Sequence, residues 1–187
     1  MTSLTLRVCS IFLVLLLAVA ALGCGGPREA TVPKEPPPPD YSPEAAVLFD
    51  DVFASELFGF NPEGRDPAKD PQLPERTANA DFVAPVRVET LSRSGGGKLR
   101  GTYEIVFQVT GKPLAGKVPQ GRLVVHAPAG SPSHGWLEGA GMAWVGTRML
   151  LFGKRFRGPA LHFRGEPDTA AVRAAVERDS GLRVLKE

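Results

Sequence analysis

The chain has 187 residues, of which 43% are hydrophobic and 22% charged, and 22 Lys and Arg against 20 Asp and Glu give a net charge of +2. These values are ordinary for a globular protein and exclude a wholly disordered chain, a polytopic membrane protein and a coiled coil. The 21 Gly and 18 Pro indicate many turns or a long unstructured stretch.

The first 24 residues carry the pattern of an export signal. Residues 1–7 are polar and end in the cation Arg7, and residues 8–22 form an uncharged apolar run of 15 residues. A helix needs about 20 apolar residues to span a bilayer, so this run is too short for a spanning helix. It is typical of the apolar region of a secretory signal, which we predict over residues 1–23.

The segment Ala21-Leu22-Gly23-Cys24 resembles the lipobox of bacterial lipoprotein precursors, in which a small residue stands directly before an obligatory cysteine. The resemblance implies lipidation of the Cys24 thiol, cleavage after Gly23, and acylation of the new amino terminus. Because Gly25 rather than an acidic residue follows the cysteine, it also implies anchoring in the outer membrane, facing the periplasm or the cell surface. An ordinary signal peptide and an uncleaved anchor are the alternatives.

Cysteine content limits the chemistry of the remaining chain. Cys9 lies inside the predicted signal, and Cys24 would carry the lipid, so the mature chain would have no free thiol. We therefore expect no disulfide, no Cys-ligated metal and no thiol nucleophile. An apolar core alone would stabilise the domain.

Residues 24–41 are predicted to form a lipid anchor and a proline-rich tether. Seven prolines lie between Pro27 and Pro43, four of them in the continuous run 36–39. Such a run favours the extended polyproline II conformation, which rises about 3.1 Å per residue. The tether would hold a domain some tens of ångströms from the bilayer.

An amphipathic helix is predicted over residues 42–60, followed by a linker loop over residues 61–80. Ser42, Pro43 and Glu44 are typical of a helix N-terminus, and the apolar residues that follow have helical spacing. Four prolines then interrupt a polar stretch, which indicates a loop.

Residues 81–187 are predicted to form a β-rich domain that ends in a helix. Apolar and polar residues alternate from Phe82 and again over residues 102–110, on either side of a glycine-rich turn at 94–97. Further strands are predicted at residues 122–127, 141–152 and 160–164, the second apolar on both faces and therefore central. A C-terminal helix should begin near Asp168 and end at Gly181.

The predicted fold class is therefore α+β. Four to six antiparallel strands would form a twisted sheet, a small sandwich or a partly open barrel. The N-terminal and C-terminal helices would pack on it.

Charge is distributed unevenly along the chain. Residues 25–91 hold 6 basic and 13 acidic groups, residues 92–164 hold 11 basic and 2 acidic groups, and residues 165–187 hold 4 basic and 5 acidic groups. Either the acidic segments fold back and neutralise the basic sheet, or the sheet presents a basic face to an anionic partner. The candidate partner-binding residues are Arg148, Lys154, Arg155, Arg157 and Arg164.

No catalytic, cofactor-binding or metal-binding motif is recognisable. The three histidines lack the spacing of a compact metal site, and only two acids lie between residues 92 and 164. A cryptic enzyme would have to bring two or more of these groups together in a cleft: His126, His134, His162, Glu104 and Glu138.

The sequence therefore favours a lipid-anchored protein with a non-catalytic structural or accessory role in the cell envelope. It would bind an acidic protein or an envelope polymer, such as lipopolysaccharide phosphate or peptidoglycan carboxylate, and no nucleic acid. One alternative is a periplasmic carrier that holds a small apolar or anionic ligand in a β cavity. The other is an envelope hydrolase.

Overall fold

The computed structural model describes residues 37–61, 63–94 and 101–184, with side chains described as far as Gly181. The predicted signal peptide, Cys24 and the first part of the predicted tether lie outside the described residues. Within them the strands are β1 (Val52–Phe53), β2 (Phe82–Ser94), β3 (Thr102–Val109), β4 (Ala115–Gly116), β5 (Leu123–Ala127), β6 (Arg148–Arg155) and β7 (Leu161–Pro167). The α-helices are α1 (Pro43–Leu48), α2 (Leu73–Asn79), α3 (Pro132–Ala140) and α4 (Ala170–Val184).

The seven strands form one open sheet in the order β1-β7-β6-β2-β3-β5, and β4 pairs with β2. Neighbouring strands are antiparallel except β1, which runs parallel to β7. The predicted α+β class with an antiparallel sheet is confirmed, and the sheet is open rather than a closed barrel. Cα atoms of β5 and β7 come within 8 Å of each other without pairing, so the open sheet curls.

Apolar residues lie on both faces of the sheet, and β6 contributes to each. Met149 and Leu151 point to the face that Leu137 of α3 covers, which we call the α3 face. Leu150 and Phe152 point to the opposite face, the α4 face. The prediction of a central strand that is apolar on both sides is thus confirmed for β6, although the strand begins at Arg148 because residues 141–144 form a 3-10 turn.

The N-terminal and C-terminal helices pack on the sheet, as predicted, and both lie on the α4 face. Leu48 of α1, Leu73 of α2 and Val172 and Val176 of α4 are buried there around Phe152. Since no helix of the described residues covers β3 and β5 on this side, the residues Glu104, Gln108 and His126 of these two strands are exposed.

The prediction of a helix over residues 42–60 is wrong in length, because α1 ends at Leu48. Its apolar residues serve two layers: Phe49 packs on the α4 face, whereas Phe53 lies in β1 and packs on the α3 face. The chain turns between them at Asp51, whose φ of +58° is left-handed. Phe49 and Phe53 lie on opposite faces of the sheet, but their spacing in the sequence is also that of residues on one side of a helix. The longer helix was predicted for this reason.

Two further helices were not predicted from the sequence. Helix α2 lies within the predicted loop 61–80. Pro74 does not prevent this helix, because it occupies the first turn, where no backbone N–H is required. Helix α3 lies in a stretch rich in Gly, Pro and Ser, where Ser131 accepts a hydrogen bond from the N–H of His134 and Pro132 begins the helix. Helix α4 continues through Gly181, where the prediction ended it.

Candidate functional site

The five predicted partner-binding cations do not form one surface patch. Arg164 is the clearest departure, because its side chain is 12% exposed and lies between two carboxylates. Its Nη1 is 2.8 Å from Asp50 Oδ2, and its Nε is 2.9 Å from Glu166 Oε1. Arg164 therefore belongs to the interior and is not available to a partner as the sequence suggested.

Lys154 and Arg157 are on the surface but already have acidic partners. Lys154 Nζ lies 2.9 Å from Asp81 Oδ1, and Arg157 Nη1 lies 3.1 Å from Asp40 Oδ1. Arg155 differs from them, because only its backbone N–H donates to Asp81, at 2.8 Å, and its exposed side chain forms no ion pair with a described residue. At these positions the acidic N-terminal part of the chain folds back on the basic strand, which is the first of the two arrangements that the charge distribution left open.

Arg148 stands apart at the opposite end of β6 from Arg155. It is exposed, makes no ion pair within the described part of the chain, and lies opposite Arg87 of β2. Arg87 in turn lies opposite Gln108 of β3, to whose Oε1 its Nη2 donates at 2.6 Å. Arg87 was not among the predicted binding residues, although its alternation with Val86 and Val88 indicated a polar face.

Arg122 extends this line of cations toward β5. It directly precedes Leu123, which lies opposite Phe107, so continuing the register by one residue sets Arg122 opposite Gln108. Arg122 is exposed. We call Arg148, Arg87 and Arg122 the arginine row, and it crosses the part of the α4 face that no described helix covers.

The charged residues around Glu166 form an interior ion-pair network whose role is structural. Glu166 is fully buried, and its carboxylate contacts Arg65 at 3.1 Å, Arg76 at 3.6 Å and Arg164 at 2.9 Å. Asp70 joins it through Arg65 and Arg76. Burial alone would raise the pKa of Asp70, but hydrogen bonds and these two cations together lower it.

A second cluster fastens the chain next to α1. The carboxylate of Asp51 lies 2.9 Å from Nδ1 of His162 and accepts a hydrogen bond from the N–H of Phe163. Burial raises the pKa of Asp51, against the opposing effects of His162 and of that hydrogen bond. The imidazole of His162 also stacks on Tyr41. The Asp51 carboxylate therefore orients an imidazole that takes part in packing and does not point into an open cleft.

The other histidines lie in different surroundings. His134 is buried on α3, with Nε2 2.8 Å from the carbonyl oxygen of Gly101. His126 and Glu104 are opposite each other on β5 and β3, exposed on the uncovered sheet face, and no hydrogen bond joins them. Among the described residues, no group of three His, Cys, Asp or Glu could hold a metal ion.

Aromatic side chains form a chain of contacts from the surface to the core. Phe60 is 48% exposed and contacts Trp136, which stacks on Phe58, which in turn stacks on the buried Trp144. Trp144 reaches Phe53 at 4.6 Å between ring centroids. The tryptophans therefore serve mainly in packing the α3 face.

Comparison with models of known protein families, with curated proteins and with solved structures found no match. Within the described residues, no helix is both long enough and apolar enough to cross a membrane.

Proposed function

We propose that this protein is a lipid-anchored, non-catalytic accessory protein of the cell envelope. Lipid on Cys24 would hold it in the outer membrane, with the part of the proline-rich segment before Pro37 as a spacer. Its β domain would bind an acidic protein or an anionic envelope polymer through exposed cations of the α4 face.

One observation carries the binding proposal: Arg148 lies opposite Arg87 in the sheet, and neither makes an ion pair with a described residue. Like charges directly opposite each other on adjacent strands destabilise a sheet. An anion bound between them would remove that repulsion. The cations further along the chain support binding less, because Lys154, Arg157 and Arg164 already have acidic partners.

The anchoring proposal rests on the residues around Cys24 and has its own test. Cells grown with an alkynyl fatty acid should label the wild-type protein, and the Cys24→Ser variant should stay unlabelled. Equal labelling of the two proteins would contradict anchoring through this thiol.

The binding proposal is tested by cross-linking in intact cells, followed by recovery of the protein from solubilised envelopes. The double variant Arg87→Glu/Arg148→Glu should lose the partner that the wild type recovers, because the face then repels anions. The double variant Lys69→Glu/Arg178→Glu changes the net charge equally on exposed positions elsewhere and should recover it. Unchanged recovery by the first variant would count against this face.

A further inference from the structure

We propose that the arginine row binds a linear, phosphate-bearing polymer of the envelope, laid across the strands. This inference rests on the proposed function and names the class of ligand for the same surface. The row consists of Arg148, Arg87 and Arg122, with the amide of Gln108 between the last two.

The spacing of the row follows from the register of the sheet. Its members stand on or next to four neighbouring strands, β6, β2, β3 and β5. Adjacent strands lie about 4.8 Å apart, so the row extends over roughly 14 Å perpendicular to the strands. A ligand that matches it must therefore be elongated and carry more than one negative charge.

The charges of the row are not compensated by described residues. Arg87, Arg122 and Arg148 form no ion pair there, whereas Lys154, Arg157 and Arg164 each contact a carboxylate. The nearest acids on these strands in sequence are Glu89 and Glu104, and neither forms an ion pair with the row. The donors of three guanidinium groups are thus left for an external anion, apart from the one that Arg87 gives to Gln108.

The composition of this face favours a polymer over a protein partner. The exposed large hydrophobic residues of the described chain are Tyr41, Val47, Phe60 and Met142, and none of them lies on β2, β3, β5 or β6. Protein interfaces usually have a core rich in aromatic residues and Met. A face with exposed cations and an amide and without such a core fits a charged chain of low apolar content.

The pairing of Arg148 with Arg87 favours phosphate over carboxylate. A carboxylate carries one negative charge and two acceptor oxygens. A phosphate monoester carries about two negative charges and three acceptor oxygens, so a single group can offset the charges of two guanidinium groups on adjacent strands. The next phosphate of a polymer would then reach Gln108 and Arg122.

Calorimetric titration of the protein, purified from membranes in detergent, with inorganic polyphosphate tests this inference. We expect saturable binding that weakens as salt is added, because exposed charges are screened. In the variant Arg87→Gln/Arg148→Gln, binding should be at least about tenfold weaker, since two charge-assisted contacts are lost. The single variant Arg122→Gln should weaken binding in the same direction and tests the third position separately.

The variant Lys69→Gln/Arg178→Gln is the matched control, because it also removes two exposed positive charges. It should bind like the wild type, and polyglutamate should bind the wild type more weakly than polyphosphate. Equal weakening in both double variants, or equal affinity for the two polymers, would overturn the inference.

The two proposals fail in different ways. If the wild type does not bind polyphosphate yet recovers an envelope partner through Arg87 and Arg148 in cells, the polymer assignment is wrong and the proposed function stands. If neither experiment detects a ligand, both are wrong.

Discussion

The imidazole of His162 lies nearly parallel to the phenol ring of Tyr41, with 3.9 Å between the ring centroids and 14° between the planes. The Tyr41 hydroxyl donates to the carbonyl oxygen of Phe49 at 2.7 Å. Two residues before Tyr41, the carbonyl oxygen of Pro39 accepts a hydrogen bond from the N–H of Arg157. These contacts fasten the segment that precedes α1 to the turn between β6 and β7.

Removing the Tyr41 ring should release this segment. We expect Tyr41→Ala to lower the free energy of unfolding by about 1–2 kcal/mol, the contribution of an aromatic pair together with a hydrogen bond. Limited proteolysis should then cut the variant near residues 37–42 before the folded domain is degraded. Tyr41→Phe keeps the stacking and should resist cleavage, so rapid cleavage of that variant would show that the hydroxyl rather than the ring holds the segment.

The pH dependence of stability should reveal the buried carboxylate of Asp51. Because burial raises its pKa above the ordinary value of 3.8, the folded state holds the proton more strongly than the unfolded state. The contribution of Asp51 to stability is therefore fully present below the ordinary pKa and is lost as the pH rises through the folded pKa.

Asp51→Asn should remove this dependence, because an amide does not titrate, and Asn tolerates the left-handed backbone of this position. Urea unfolding of both proteins between pH 3 and pH 8 measures it. The stability of the wild type relative to Asp51→Asn should fall as the pH rises. A difference that stays constant over this range would contradict the raised pKa.

Glu166 should be the most sensitive residue of the interior network. Its side chain is 1% exposed and contacts Arg65, Arg76 and Arg164. Glu166→Gln would leave these cations without their shared counter-charge, and breaking a buried ion pair in this way costs about 3–5 kcal/mol. Denaturant unfolding measures the change.

Lys69→Ala gives the matching surface control, since it breaks the exposed pair with Asp66. We expect it to change stability by no more than about 1 kcal/mol. An equally small change in the free energy of unfolding for Glu166→Gln would contradict the burial of the network, since it would mean that the network is well solvated.

Gly153 of β6 should tolerate no side chain. A Cβ there would lie 2.3 Å from ring atoms of Phe82, which is buried on the α3 face. Gly153→Ala should therefore destabilise the protein by about 1–3 kcal/mol through overpacking.

Gly139 of α3 provides the contrast, because a Cβ there meets no atom within 4 Å. Gly139→Ala should stabilise the protein by up to about 1 kcal/mol, since Ala favours a helix over Gly. Thermal unfolding of the two variants should move in opposite directions, and a shift of the same sign in both would contradict the packing around Phe82.

The strands were the most predictable part of this fold. Alternation of apolar and polar residues is a local property, and it identified β2 and β3, whereas a continuous apolar run identified β6 as apolar on both faces. Helix α3 was harder to predict from the sequence, because it depends on a cap at Ser131 and on tertiary packing of Leu137 in a stretch with several glycines. Local composition in that stretch favours turns.

The candidate site was only partly predictable, for a related reason. Glu166 and Arg164 are two residues apart on one strand, so their contact had a local signal in the sequence. The contact of Arg164 with Asp50 joins residues far apart in the chain, as does that of Lys154 with Asp81. The net charge of a segment therefore overstated the cations left free, and only the sheet register revealed that Arg148 lies opposite Arg87.

The most direct test of binding at the arginine row is an NMR titration of the arginine-labelled protein, purified from membranes in detergent, with inorganic polyphosphate. The Nε–H signals would be assigned by single Arg→Gln variants. The signals of Arg87, Arg122 and Arg148 should shift together and saturate, while that of the exposed Arg178 stays in place. Movement of Arg155 or Arg157 without the row, or equal movement of every exposed arginine, would contradict binding at this site.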